Sequence, residues 1–185
     1  ALQLSVMAGI RAADIAAASG SARIVRCMPN TPALVGRGMT GLFDAAGAAA
    51  DRQLAETVIR TTGDVLWVER EEQLDAVTAL SGSGPAYVFY FLEAMQQAGV
   101  ELGLTPEQAR TLAVGTFAGG AHLAGASAEP LATLRERVTS KGGTTHAALT
   151  ALEQAGVQAA FVKAMHAACV RAAELGDEFG RTPPH

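Results

Sequence analysis

The sequence predicts an α/β sheet of Rossmann type, incomplete at its amino-terminal side, followed by an all-helical dimerisation domain, and three observations carry that expectation. Short β-like runs alternate with helices as far as Val68. No strand pattern returns after Glu71, and from there to Phe179 helix-length segments follow one another, separated by Gly or Pro turns. These helices also carry small and apolar residues on more than one face, as helices that bury themselves against another copy do.

In the first part, Leu4–Met7, Arg23–Met28, Thr40–Phe43 and Asp64–Val68 read as strands. Ile10–Ser19 reads as an alanine-rich helix closed by Gly20, and Asp51–Thr62 carries Leu54, Val58 and Ile59 at helical spacing before Gly63. Leu2 to Met7 resembles an internal strand, and no Gly-x-Gly-x-x-Gly turn precedes it. The half of a dinucleotide fold that grips a pyrophosphate is therefore expected to lie outside the chain, and residues 1–185 alone are expected to bind a dinucleotide weakly or not at all. The second part divides into helices over Leu74–Leu80, Ala86–Gln97, Pro106–Leu123, Leu131–Arg137, His146–Gln154 and Val157–Phe179, with Thr105 as a cap and Pro106 in the first turn. The domains expected are 1–69 and 70–185.

Composition narrows the function. Over 185 residues, 49% are apolar and 17% charged, which excludes a disordered or fibrous chain. A formal net charge of -4 without a run of Lys and Arg argues against nucleic acid. Cys27 and Cys169 lie far apart and the four histidines form no paired motif, so neither a disulfide framework nor a metal site is expected. The longest apolar run, Ala86–Leu92, is too short for a membrane, and Ala1–Ile10 has no signal-peptide pattern; a cytoplasmic protein with a small-molecule ligand is the expectation.

Val138-Thr139-Ser140-Lys141-Gly142-Gly143-Thr144-Thr145 is a glycine turn opening a helix. The first N–H groups of such a helix have no intrahelical partner, so the turn suits a small anion, most simply a carboxylate. The plain alternative is that Thr144 or Thr145 only caps the helix. Met28-Pro29-Asn30-Thr31-Pro32 ends a strand where open α/β sheets bind ligands, or is a proline-stiffened turn. Ser81-Gly82-Ser83-Gly84-Pro85 reads as a sharp break between two helices with Ser81 or Ser83 a possible cap, its hydroxyls lacking any base motif that would make them nucleophiles. His146, His122, His166 and Trp67 read as packing or peripheral residues.

In this order and spacing, Arg26–Pro32, Leu80–Tyr87, Val138–Thr145 and the alanine-rich terminal helix resemble the pyrroline-5-carboxylate reductase family over nearly the whole chain. One departure stands in the loop, where Lys141 occupies a position that many members fill with proline. The resemblance implies reduction of a cyclic imine carboxylate to L-proline by NADPH or NADH, in a homodimer. It implies Ser140, Gly142, Gly143, Thr144 and Thr145 at the substrate, with the N–H groups of Gly143, Thr144 and Thr145 on the carboxylate and the Thr145 hydroxyl on the ring nitrogen. It implies Met28, Pro29, Asn30, Thr31, Ser83, Gly84 and Pro85 near the cofactor, and Glu71 near the substrate of a partner subunit. Glu71 is equally explained as an acidic residue at a helix start, and Glu69 and Glu72 are close neighbours. The competing readings are a non-catalytic dimerisation module and a two-domain hydroxy-acid dehydrogenase with Lys141 as its acid-base.

Overall fold

The computed structural model describes residues 1–180. Four strands, β1 (Gln3–Ser5), β2 (Ile24–Met28), β3 (Gly38–Asp44) and β4 (Gly63–Trp67), make one sheet in that order. β1 runs parallel to β2, β2 antiparallel to β3, and β3 parallel to β4. Alternation along β2 divides the core between two faces. Val25 and Cys27 join Leu42 of β3 and Ala55 of helix α2 (Ala49–Ile59) on one side. Ile24 joins Ala12 and Ile15 of helix α1 (Ala12–Ser19) on the other, with Phe43 against them. Ile24, Val25 and Leu42 are fully buried, each worth about 1.5–3 kcal/mol of transfer free energy.

The face that holds Ile24 also carries Arg26, Met28 and Gly41, and it is covered by the segment that follows β4. Helix α3 (Gln73–Val77) lays Val77 over Gly41, where a Cβ would meet its Cγ1 at 2.6 Å, and buries Leu74. By its contacts this segment groups with the sheet. The chain divides into a sheet unit, Ala1–Pro85 with the chain from Lys163 onward, and a helical unit, Ala86–Val162. The end of the last helix, α8 (Val157–Gly180), belongs with the sheet: Gly176 lies against the Arg11 guanidinium and Gly9 against Phe179.

Other boundaries shift for local reasons. β1 stops at Ser5, because Val6 and Met7 leave the ladder and stand 59% and 51% exposed. The helix expected to reach Thr62 ends at Ile59 and tightens into a 3₁₀ turn over Arg60–Thr62. The sharp break expected at 81–85 is absent. Instead the chain widens into a π-turn over Thr78–Gly82, closed by the Ser83 N–H donating to Thr78 O at 2.8 Å, and runs on into helix α4 (Gly84–Glu101). Pro85 fits there because a first-turn residue needs no N–H donor.

In the helical unit, α5 (Pro106–Gly125) opens with a capping box in which Thr105 and Gln108 exchange bonds of 2.9 and 3.2 Å. Gly99 of α4 meets Ala109 closely enough that a Cβ would lie 2.7 Å from the alanine methyl. Phe161 stacks edge-on with Tyr87 at 5.8 Å and tilted on Phe91 at 5.5 Å. α6 (Leu131–Arg137) falls where the sequence places it, and α7 (Thr144–Gln154) begins two residues earlier than expected. Of this unit's apolar residues only Ala109 and Ala113 are buried, while Phe89, Tyr90, Leu112, Leu123 and Leu131 are more than half exposed. No helix among the described residues is long and apolar enough to cross a membrane.

Candidate functional site

The loop between α6 and α7 is built from both of its glycines. Gly142 has φ +73, a left-handed conformation that a side chain resists, and the Gly143 N–H closes the turn by donating to Ser140 O at 3.0 Å. A Cβ on Gly143 would collide with Ser140 Oγ. The cap of α7 is Gly143 itself, in extended conformation and with no side-chain cap bond, so neither threonine caps the helix. The first bond into the helix is Ala147 N–H to Gly143 O at 3.1 Å. The N–H groups of Thr144, Thr145 and His146 therefore have no acceptor among the described residues. This differs from the expected donor set at one position: the Gly143 N–H is committed to the turn, and the main-chain N–H of His146 is left free.

The hydroxyls divide in the same way. Thr139 Oγ donates to Arg135 O at 2.6 Å and Thr150 Oγ to His146 O at 2.9 Å, whereas those of Thr144 and Thr145 have no partner among the described residues. Thr145 is half-buried and Thr144, Ser140 and Lys141 are exposed. The His146 side chain lines a hollow of about 200 Å³ with Arg135, Glu136 and Thr139 of the preceding segment. Three free donors and an uncommitted hydroxyl at the positive end of a helix can hold a carboxylate and a neighbouring polar atom.

The sheet unit gathers a second set of residues at the carboxyl end of β2. Met28 lies on Gly82, where a Cβ would meet its Cε at 2.7 Å. Pro29 and Asn30 lead into a 3₁₀ helix over Thr31–Val35. The Asn30 amide bonds to Ser81 and to the Met39 N–H. Thr31 is exposed; Ser83 ends the π-turn, and Gly84 and Pro85 open α4. Val6 and Met7, which sequence reasoning passed over as strand, present apolar side chains at the end of the parallel neighbour β1. Their signal was two exposed apolar residues directly after a strand. Apolar side chains and main-chain groups without a charge fit the flat, uncharged face of a nicotinamide. The spacing Gly36-x-Gly38-x-x-Gly41 matches a dinucleotide fingerprint, but it enters β3 and not a helix, so it has no helix N-terminus to offer a phosphate.

Glu71 has work within its own unit. Its Oε1 accepts the Ala12 N–H at 2.6 Å, capping α1, and the Arg26 Nη1 at 2.8 Å. Arg26 is 5% exposed, so the carboxylate neutralises a buried cation. Asp75 pairs with Arg11 beside it at 3.1 Å. No group of His, Cys, Asp and Glu among the described residues could hold a metal ion.

Comparison with known proteins gives the family. The family model described as pyrroline-5-carboxylate reductase dimerisation matches residues 71–175. The pyrroline-5-carboxylate reductase of Pseudomonas aeruginosa is 44% identical over 182 residues, 97% of this chain and 67% of that protein. The solved structure of a pyrroline-5-carboxylate reductase from Coxiella burnetii superposes with a TM-score of 0.90 at 43% identity, covering 94% of this chain and 65% of that one. That of the Plasmodium falciparum enzyme with NADP bound gives 0.86 at 31% identity, over 95% of this chain and 71% of that one. The chain thus spans about two thirds of the length of the relatives it matches. With 44% identity over nearly its whole length and a family model covering more than half of it, the chain belongs to the pyrroline-5-carboxylate reductase family.

Proposed function

We propose that this chain carries the substrate-binding and nicotinamide-side residues of a pyrroline-5-carboxylate reductase, which reduces 1-pyrroline-5-carboxylate to L-proline with NADPH or NADH. The observation that carries the reading is the opening of α7, where the N–H groups of Thr144, Thr145 and His146 and the Thr145 hydroxyl are all uncommitted. The three N–H groups donate to the substrate carboxylate, and Ser140 supports the turn that aims them. The protonated imine N–H donates to the Thr145 hydroxyl oxygen, which fixes the ring and holds the proton on nitrogen. The reduced nicotinamide supplies the hydride that the imine carbon accepts. Met28, Pro29 and Thr31, with Ser83, Gly84 and Pro85, are the sheet unit's residues for its uncharged end. An imine protonated on nitrogen is already activated, so orientation and exclusion of water make up most of the protein's task.

A homodimer through the helical unit follows from the same reading, because an all-helical unit with two buried alanines and many exposed large apolar residues requires a cover. A cytoplasmic setting suits a reduced dinucleotide as co-substrate. The test is NADPH oxidation driven by 1-pyrroline-5-carboxylate, with proline identified as product, using the longest open reading frame that contains this sequence. Thr145→Ala lowers kcat/KM roughly tenfold to a thousandfold, as removing a preorganised polar contact does, and Thr145→Ser keeps most of the activity. Full turnover by the alanine variant refutes the role of Thr145, and turnover of hydroxy acids instead of the imine refutes the reaction.

A further inference from the structure

Asn30 stands at the N-cap position of the Thr31–Val35 turn, with φ -129 and ψ 166, yet its side chain makes no cap bond. An asparagine at that position ordinarily turns its oxygen to the next N–H groups. Here the side chain reaches away from the turn at both ends. Oδ1 accepts the Met39 N–H at 2.9 Å, and Nδ2 donates to Ser81 O and Ser81 Oγ, each at 3.2 Å. Ser81 Oγ in turn donates to Met39 O at 3.4 Å. The three residues thus form a closed ring, Asn30 to Ser81 to Met39 and back. The ring also fixes which end of the amide is oxygen, because one side meets a donor and the other a carbonyl.

This ring joins three segments: the end of β2, the start of β3 nine residues on, and the π-turn before α4, 51 residues from Asn30. Met28 on Gly82 is a second contact between the first and third of them. A π-turn has poor intrinsic geometry and persists where tertiary contacts hold it. We propose that Asn30 is a positioning residue: its amide is used up in clamping the 28–32 turn to the Thr78–Gly82 π-turn, and the nicotinamide-side surface is presented by the main chain and by Thr31, not by the Asn30 amide. The inference rests on the proposed reading only in naming the ligand of that surface.

The test is a double-mutant cycle in the longest reading frame, reading NADPH Kd by calorimetry and, independently of any ligand, the unfolding temperature of residues 1–185. Asn30→Ala raises the NADPH Kd about tenfold, as loss of several partly buried hydrogen bonds does, and leaves the KM for the imine in place. Asn30→Asp is the informative partner. Its carboxylate still accepts from Met39, and the Ser81 hydroxyl turns to donate to it. In a Ser81→Ala background it faces a bare carbonyl. On the parent background Asn30→Asp therefore binds NADPH better than Asn30→Ala, and with Ser81→Ala the order reverses, in unfolding temperature as well as in Kd. Repulsion between the new carboxylate and the NADPH phosphates is common to both backgrounds and cancels in the cycle.

If the Asp and Ala variants differ by the same factor on both backgrounds, Asn30 does not act through Ser81 and the proposal is overturned. Should Asn30→Ala fail to fold, Asn30→Asp with and without Ser81→Ala gives the same comparison. A parent that binds NADPH but turns over no pyrroline-5-carboxylate sinks the proposed reaction and leaves the cycle to decide the clamp. A parent that does not bind NADPH sinks the nicotinamide reading of that surface, and the unfolding temperatures alone then decide the clamp.

Discussion

Replacing Glu71 separates the two roles that its sequence position allows. The Arg26 side chain beneath it is 7% exposed, and among the described residues its Nε has no hydrogen-bond partner and the 2.8 Å bond from Nη1 to Glu71 is its one carboxylate contact. Glu71→Ala leaves that cation buried and unpaired. Removing one partner of a fully buried pair costs about 3–5 kcal/mol, and Glu71 at 20% side-chain exposure lets water reach the vacated space, so about 2 kcal/mol is the expected share. The Ala12 N–H loses its 2.6 Å acceptor as well, adding about 1 kcal/mol. The sum of about 3 kcal/mol lowers Tm by roughly 6–12 °C for a chain of this length. Glu71→Gln keeps an acceptor for Ala12 and loses only the charge, so its drop is smaller by about 1 kcal/mol.

The assay is differential scanning fluorimetry on the 185-residue chain beside imine KM in the longest reading frame. A structural Glu71 gives a graded fall in Tm, parent above Gln above Ala, with KM unaltered in whatever fraction remains folded. Tm within 2 °C of the parent for Glu71→Ala, with a raised KM, would refute the ion-pair reasoning and restore the substrate contact.

Two other perturbations follow from the same unit. Burial pushes the Cys27 thiol up to about 11, so iodoacetamide at pH 8 leaves Cys27 unlabelled in the folded chain and labels it in guanidinium, read by peptide mass spectrometry; rapid native labelling would contradict the core assignment. The Asp51 carboxyl is held below the usual carboxylate range, chiefly by hydrogen bonds from the Arg23 guanidinium at 2.6 and 3.0 Å. A depressed carboxylate stabilises the fold above its unfolded pKa and loses that effect as pH falls, so the Tm difference between parent and Asp51→Asn is full above about pH 4 and narrows below it. A difference that stays constant from pH 6 to pH 2.5 would show that the ion pair contributes nothing.

What the sequence discloses here is what local rules determine. Strand–helix alternation, the Thr105 cap and the α6 bounds depend on neighbours a few residues apart, and the structure has them where the pattern places them. Val6 and Met7 continue a β-like pattern, but with β1 pairing only through Ser5 no ladder exists for them to join. The π-turn was illegible because Ser-Gly-Ser-Gly-Pro reads locally as a break. What holds it helical is Asn30, 51 residues earlier in the chain. The same limit applies to Glu71, whose partners Ala12 and Arg26 are 59 and 45 residues away. At the α7 loop the glycine turn was legible and the set of free N–H groups was not, because only the bond from Gly143 to Ser140 shows which N–H groups are left over.

That bond also accounts for Lys141. A four-residue turn closed from Gly143 N–H to Ser140 O, with Gly142 at φ +73 in its third place, has the signature of a type II turn, and proline is favoured in the second place of such turns. The second place is Lys141, the position that the resemblance to the family gives to proline in many members. Lysine therefore gives up a restriction on the unfolded chain without disturbing the folded turn, and gains an exposed cation next to the free N–H groups of α7. Lys141→Pro restores the restriction and should stabilise the chain by about 0.4–1 kcal/mol. If the cation assists the carboxylate, the same variant raises the imine KM, and raises it less at high salt, where an exposed charge is screened. An unchanged KM at both salt concentrations assigns carboxylate binding to the three N–H groups alone, and a loss of stability would show that the second place of the turn is not one that proline can occupy.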